Sequence, residues 1–539
     1  MEMRNQKPGI SSQKSVDTRQ RESTGYWLLA TGYWPRSFWF LGLATSLLAL
    51  GLGYYLSLDP TWLRVGFEPS RASHLLGLLV GIAGTLALLK WPEVGLLLLV
   101  ATIYTNLSEI GVRNYDLPSL IQLMVPLLAL AILGRQLMSS ERKLIGDSLM
   151  VLLILYGAVI FLSSVRAVDP EQADENLFEH LKSLCIFWVI INLTTSRLVL
   201  RRAVWVLVLV GAFLGTISVY QVFTSSYGLE FGGFGRIKLA QIVGNVRQPR
   251  IAGPLSDPNF YAQILVPLVP LALYRLWDES SLRLKLIAAY ALWVIILALV
   301  FTYSRGGSLA LGVVLLLAAI NKKVKLQYLF LGLIIVVPLL LFIPKEFEGR
   351  LSTLNQLIPG RNESTIHVDT ALQERTLLMR AAWEMFSDHP ILGVGAGNYS
   401  EHYEEYAQRV GSTISSYEDF GKQRFAHSLY LEIAAETGLV GFLVFVAIIA
   451  AALFSARSAI HLFTKAGDLR SASLVTSLAL GFVGYLTSSL FLHGDYIRYF
   501  WLLVALMVAA KHVANQSSKQ PVVSSKHELL TTDFWRRLI

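Results

Sequence analysis

The sequence predicts an all-α polytopic membrane protein of about 14 transmembrane helices (a range of about 12–14), with both termini cytoplasmic and a large, partly helical periplasmic loop. Three observations carry that prediction. Of 539 residues, 54% are hydrophobic and only 15% charged, where a soluble chain of this kind carries roughly 25% charged residues. Apolar runs of about 20 residues, the length that crosses the hydrocarbon core, recur along the chain. Lysine and arginine concentrate in alternate connections, as the positive-inside rule requires.

The elements follow in order. Residues 1–37 are polar and basic, with no small-residue cleavage site after a short apolar core, and read as a cytoplasmic tail rather than a signal peptide. Apolar runs place spans at 38–57, 73–89, 92–107, 117–137, 149–165, 181–196, 202–223, 259–276, 284–303, 307–321, 326–344, 428–455, 471–492 and 497–513. The chain thus divides into eleven spans over 38–344, a large periplasmic loop at 345–427, three spans over 428–513 and a cytoplasmic tail at 514–539. One set of connections carries Arg135/Arg142/Lys143, Arg197/Arg201/Arg202, Arg275/Arg283/Lys285, Lys322/Lys323/Lys325 and Arg457/Lys465/Arg470. The opposite set is poorer, with Arg113, Arg166 and Arg498. That alternation predicts a multi-pass protein of the cytoplasmic (inner) membrane, with the bilayer as its first partner.

The net charge of +9 is explained by those loops, so nucleic acid is not expected as a partner. The single cysteine, Cys185, lies in an apolar run, which leaves neither a disulfide framework nor a thiolate metal site. Two outer segments exceed the length of an ordinary connection, 224–258 and 345–427. Loops longer than about 15 residues usually have a functional reason, so the chemistry is expected between these two.

The most informative stretch begins at His427-Ser428 and continues through Glu432 and Glu436 to Gly438 and Gly441. His427 falls where the large loop enters a span. The positive end of a helix dipole disfavours imidazolium there, and a neutral ring can accept a proton as a general base. The same residue could simply cap the helix. Glu432 and Glu436 lie one turn apart in the first turns of that span, where a carboxylate is costly unless it is paired or faces a wet cavity; Glu436 is read as substrate-binding. Gly438 and Gly441 thin the helix for a close neighbour.

A helix carrying Arg375 and Arg380 ends at Pro390, and the run Gly393-Val-Gly395-Ala-Gly397-Asn398 follows. No lysine or strand context makes that run a P-loop; it reads as a tight turn that returns the arginine helix over the membrane. Arg250 and Arg305 each fall at the outer end of a span, and arginine grips phosphate oxygens bidentately. Arg305 could instead only snorkel to the interface. Asn259 reads as a helix cap. The histidines and carboxylates lack metal-ligand spacing, so no metal or cofactor is expected.

These residues resemble the O-antigen ligase and polymerase family. His427-Ser428, nine residues, Gly438, two residues and Gly441 is similar to that family's signature, although Phe442-Leu443 stands where small hydroxyl residues often follow. Arg250 to Asn259, Ser304-Arg305-Gly306 and Arg375 to Asn398 are similar to its other blocks, and the likeness covers roughly 140–515. The resemblance implies an inverting, metal-independent glycan transfer. The implied donor is a polyprenyl-pyrophosphate-linked glycan; the acceptor is a hydroxyl on lipid A-core, another glycan or a protein. It implies that His427 is catalytic, that Arg375 is the essential loop arginine and that Arg305 meets the pyrophosphate. The competing class is a transporter of inorganic carbon or another small anion, which would place ionisable residues near mid-membrane within inverted repeats. Here the candidates cluster at one boundary.

Overall fold

The computed structural model describes residues 88–138, 144–243, 246–322, 370–411, 424–494 and 497–519. The expected spans 38–57 and 326–344, nearly all of 73–89, and most of both tails lie outside the described residues. Every other expected span is helical. The first helices are α1 (Pro92–Tyr104), α2 (Leu107–Tyr115), α3 (Leu120–Met138), α4 (Ser148–Ser164), α5 (Pro170–Leu193) and α6 (Arg197–Phe223). After a hairpin come α7 (Pro258–Leu265), α8 (Leu268–Asp278), α9 (Leu282–Phe301) and α10 (Arg305–Asn321). The large loop contributes α11 (Thr370–Asp388) and α12 (Tyr399–Arg409), and the chain continues through α13 (Leu429–Lys465), α14 (Leu469–Ser488) and α15 (Arg498–Lys519). Among the described residues seven helices are long and apolar enough to cross a membrane, or eight if α1 and α2, bent by 63°, form one span. The chain is a mostly helical, multi-pass membrane protein.

α15 is the axis of the bundle. Every residue from Tyr499 to Ala510 is buried, as expected of a helix that is apolar on all sides. α13, α5, α14 and α6 pack around it. The outer helices turn large apolar residues outward instead, such as Val151 and Ile154 of α4, Leu286 and Trp293 of α9, and Leu443 and Phe454 of α13. In water such faces would be a liability; against lipid they are the solvent-compatible surface.

The two ends of the bundle differ in kind. At one end the expected cytoplasmic basic residues meet carboxylates at the helix termini. Arg201 reaches Glu279 at 2.6 Å and Arg275 reaches the same carboxylate at 3.3 Å. Lys322 pairs with Asp278 at 2.9 Å, Arg197 with Asp468 at 3.1 Å, and Lys511 and His512 converge on Asp147. Glu279 is only 3% exposed at its side chain, and a carboxylate buried so deeply needs these partners. The network ties the ends of α4, α6, α8, α10, α14 and α15.

At the opposite end the all-α expectation needs correction. Within the outer segment 224–258, β1 (Arg236–Val243) and β2 (Val246–Gly253) pair antiparallel, with Lys238 opposite Arg250 and Ile237 opposite Ile251. The alternation of apolar and polar residues on either side of Gly244-Asn245 is a hairpin pattern; the basic, glycine-rich composition obscured it. Arg236 anchors the hairpin by donating to Asn114 Oδ1 at 2.7 Å and Ser256 Oγ at 2.6 Å. Lys238 adds an ion pair to Asp257 at 2.9 Å. Asn106, at the α1–α2 break with φ 59°, donates to Pro254 O at 3.1 Å and accepts from Arg498 at the start of α15.

Candidate active site

α13 is broken near its start. Gly438 has φ 66° and ψ −166°, which an α-helix cannot contain, so the carbonyls before it and the amides after it lose their helical partners. The segment that follows α11 replaces those partners. Val394 N donates to Ala435 O at 2.9 Å and Gly395 N to Glu436 O at 3.1 Å. In return Leu439 N donates to Pro390 O at 2.7 Å and Val440 N to Ile391 O at 3.3 Å. The two glycine motifs therefore belong together: Gly393, Gly395 and Gly397, all with positive φ, form a strap seated in the break that Gly438 makes.

The strap continues onto α5. Asn398 Oδ1 accepts from Asp169 N at 2.7 Å while its Nδ2 donates to Asp169 O at 3.0 Å. Glu436 completes the junction, accepting from Tyr399 N at 3.2 Å at the start of α12 and from the Gly397 amide. Its carboxylate is thus engaged by the strap. α11 and α12 bury Leu378, Ala381, Ala382 and Met385 against Tyr399, Tyr403, Tyr406 and Ala435 of α13. The helix that carries Arg375 and the helix that begins beside His427 are consequently one assembly. Arg375 itself is half-buried on α11, and Arg380 is exposed, lining a groove of about 680 Å³ with Trp383, Glu384, Arg409 and Leu431.

Ser428, not His427, holds the N-cap position of α13, and its side chain makes no cap hydrogen bond. The first helical amide, Leu429 N, donates instead to Ser489 O at 3.1 Å and Leu492 O at 2.7 Å, in the segment between α14 and α15. His427 precedes the cap with φ 49°, a left-handed backbone that a non-glycine residue rarely adopts. Glu432 braces both sides of this junction. One oxygen accepts from Ala426 N and the other from Gly494 N, each at 3.2 Å.

The remaining candidates sit on the corners beside it. Ser304 caps α10 by accepting from Gly307 N at 3.3 Å, which places Arg305, half-buried, at the first helical position. Gly306 faces Phe491. Arg250 is only 5% exposed; its Nε donates to Thr302 O at 2.9 Å and its Nη2 to Asn259 Oδ1 at 3.1 Å, so it fastens β2 to the α9–α10 corner. The cap reading of Asn259 is corrected here: Asp257 caps α7, accepting from Asn259 N at 2.8 Å. Burial alone would raise the Asp257 pKa, but Lys238, the Asn259 amide and Arg250 together hold it below the ordinary value.

The segment between α14 and α15 draws these pieces together. Ser489 Oγ accepts from Gln263 of α7 at 2.9 Å, Phe491 meets Gly306, and His493 lies among Phe260, Phe425 and His427. Arg250 to Asn259, Ser304 to Gly307 and His427 to Gly441 therefore share one end of the bundle. His493 was missed in the sequence. The available signal was Leu492-His493-Gly494, a polar interruption between two apolar runs. Among the described residues no group of three or more His, Cys, Asp or Glu side chains could hold a metal ion.

The O-antigen ligase family model matches residues 290–446. That stretch is similar to an O-antigen ligase domain. It runs from within α9 into α13 and contains Arg305, Arg375, His427, Glu436 and the whole strap, while Arg250 and His493 fall outside it. No curated protein matches the chain.

Proposed function

We propose that this chain transfers a glycan from a polyprenyl-pyrophosphate donor to an acceptor hydroxyl at the outer face of the cytoplasmic membrane, with the basic end of the bundle in the cytoplasm. The observation that carries the reading is the setting of His427. It stands inside the O-antigen ligase match, half-buried and in a left-handed backbone, at the end of the bundle where the arginine-bearing corners meet. Strained residues persist where surrounding structure holds them, and they cluster at functional sites.

His427 takes the proton from the acceptor hydroxyl. The oxygen attacks the anomeric carbon from the face opposite the pyrophosphate, and the carbon–oxygen bond to the pyrophosphate breaks with inversion. Arg375 and Arg305 stabilise the charge that develops on the leaving polyprenyl pyrophosphate. Arg250 and Glu436 act through what they hold, the α9–α10 corner and the strap. Lipid A-core or a growing glycan supplies the acceptor hydroxyl.

The test is complementation of a strain lacking this gene. Restored surface glycan with the wild-type chain, and accumulated lipid-linked glycan with His427→Ala at equal membrane level, is the expected result. A lost general base costs about 10²–10⁴-fold in rate. An active His427→Asn variant would remove the proton-transfer role and the mechanism with it.

A further inference from the structure

The segment between α14 and α15 lies outside the matched domain, yet it shapes the residue on which the reaction depends. His427 has φ 49°, and a non-glycine residue stays in the left-handed region only where its surroundings hold it there. Two constraints are backbone hydrogen bonds, from Ala426 N to Glu432 and from Leu429 N to Ser489 and Leu492. They bracket His427 but do not orient its ring. The third constraint is a ring. His493 is 6% exposed and stacks on Phe425, two residues before His427, with centroids 4.0 Å apart and planes within 3°. Phe260 of α7 meets His493 edge-on at 4.9 Å. On its remaining side His493 meets the His427 ring edge-to-face at 5.4 Å.

We propose that His493 is a positioning residue for the transfer, clamping Phe425 and the His427 ring in the orientation that proton transfer needs. This rests on the assignment of His427 as the general base. Aromatic pairs of this geometry stabilise beyond their burial, and here one ring makes three such contacts. The role is steric and aromatic, so a flat ring of another kind fulfils it. Glu432 fixes the same segment from beneath, through the Gly494 amide.

The experiment compares His493→Ala, His493→Phe and Phe425→Ala in the full-length chain, at equal membrane level and with melting temperatures recorded in detergent. Losing the clamp should lower kcat about 10- to 100-fold with the donor KM unchanged in both alanine variants. His493→Phe should recover to within a few-fold of wild type. His493→Phe as inactive as His493→Ala, or Phe425→Ala with full kcat, overturns the clamp. A second readout does not depend on transfer: the rate at which diethylpyrocarbonate modifies His427, followed by mass spectrometry. Release of the ring in His493→Ala should raise that rate several-fold, and an unchanged rate overturns the proposal. An active His427→Ala with a changed modification rate would leave the clamp standing and remove only the catalytic assignment.

Discussion

A Cβ on Gly438 would overlap the carbonyl carbon of Ile391, and one on Gly393 would overlap that of Glu436. The two glycines therefore face each other across the same backbone junction, and neither obstacle is a side chain that could rotate away. Gly438→Ala meets that overlap and also φ 66° with ψ −166°, a region open essentially to glycine alone, where another residue costs on the order of 1–3 kcal/mol. The strap should leave the break, taking α11 and Arg375 with it. Transfer should fall at least about ten-fold, the equivalent of a loss of about 1.4 kcal/mol, and chymotrypsin should cut near Tyr399. Equal resistance to protease in Gly438→Ala and wild type would contradict the strap.

Glu436 separates docking from substrate binding. Its carboxyl group accepts from the Tyr399 and Gly397 amides, and an intramolecular hydrogen bond contributes about 0.5–1.5 kcal/mol net. Glu436→Gln keeps one acceptor oxygen, so it should lower the melting temperature modestly and leave the donor KM unchanged. Glu436→Leu should lower both stability and kcat strongly. A raised donor KM with an unchanged melting temperature would show instead that the carboxylate touches substrate.

The helices were legible because apolar runs report burial or lipid locally, within one element. The break in α13 was not, since Gly438 inside an apolar run reads equally well as a packing glycine. Its meaning depends on Ile391, which lies in a different part of the chain. The same holds for Asn398, whose partner Asp169 is 229 residues away. Arg250 and Glu436 fall at a boundary between span and loop, and periodicity cannot distinguish a side chain that meets substrate from one that holds a loop. His493 gave the weakest signal, a lone polar residue between spans. Its place beside His427 exists only once α14 and α15 have packed.

Acid should loosen the α11–α12 pair through His402. Burial, then the neighbouring His389, hold its pKa below the ordinary value, against Glu405, Glu401 and a hydrogen bond to the Val394 backbone. For a base depressed in the folded state, the unfolded chain takes up the proton first. Stability should therefore be unaffected above the free value near 6.5 and fall as pH drops below it. The melting temperature in detergent at pH 7.5 and 5.5 reads this directly. His402→Gln should flatten part of the difference; an identical slope in that variant would exclude His402 as its source.

Sidedness can be checked with thiol labelling after Cys185, which is exposed, is replaced by serine. Thr224 and Ser280 are both exposed, at the site end and the basic end of the bundle. Thr224→Cys should react with an impermeant reagent added outside the cytoplasmic membrane, and Ser280→Cys should not. Labelling of Ser280→Cys alone would invert the bundle and place the candidate site in the cytoplasm.

Arg375 and Arg380 test whether the pyrophosphate is held by one face of α11 or by its general charge. Five residues advance a helix by about 140°, so the two side chains leave α11 in different directions. Seven residues nearly complete two turns, which aligns Arg375 with Ala382 on the buried side. Arg380 instead shares its groove with Trp383, Glu384 and Arg409. A leaving pyrophosphate gathers charge in the transition state, and removing one preorganised donor from such a site costs about 10²–10³-fold in kcat. Arg375→Ala should show a loss of that order. Arg375→Lys should remain impaired, because a point charge cannot reproduce the planar fork. Arg380→Ala should stay within a few-fold of wild type. If lysine restores Arg375 fully, charge alone suffices and the bidentate argument fails; if Arg380→Ala is as damaging as Arg375→Ala, the phosphate-binding face of α11 has been assigned to the wrong side.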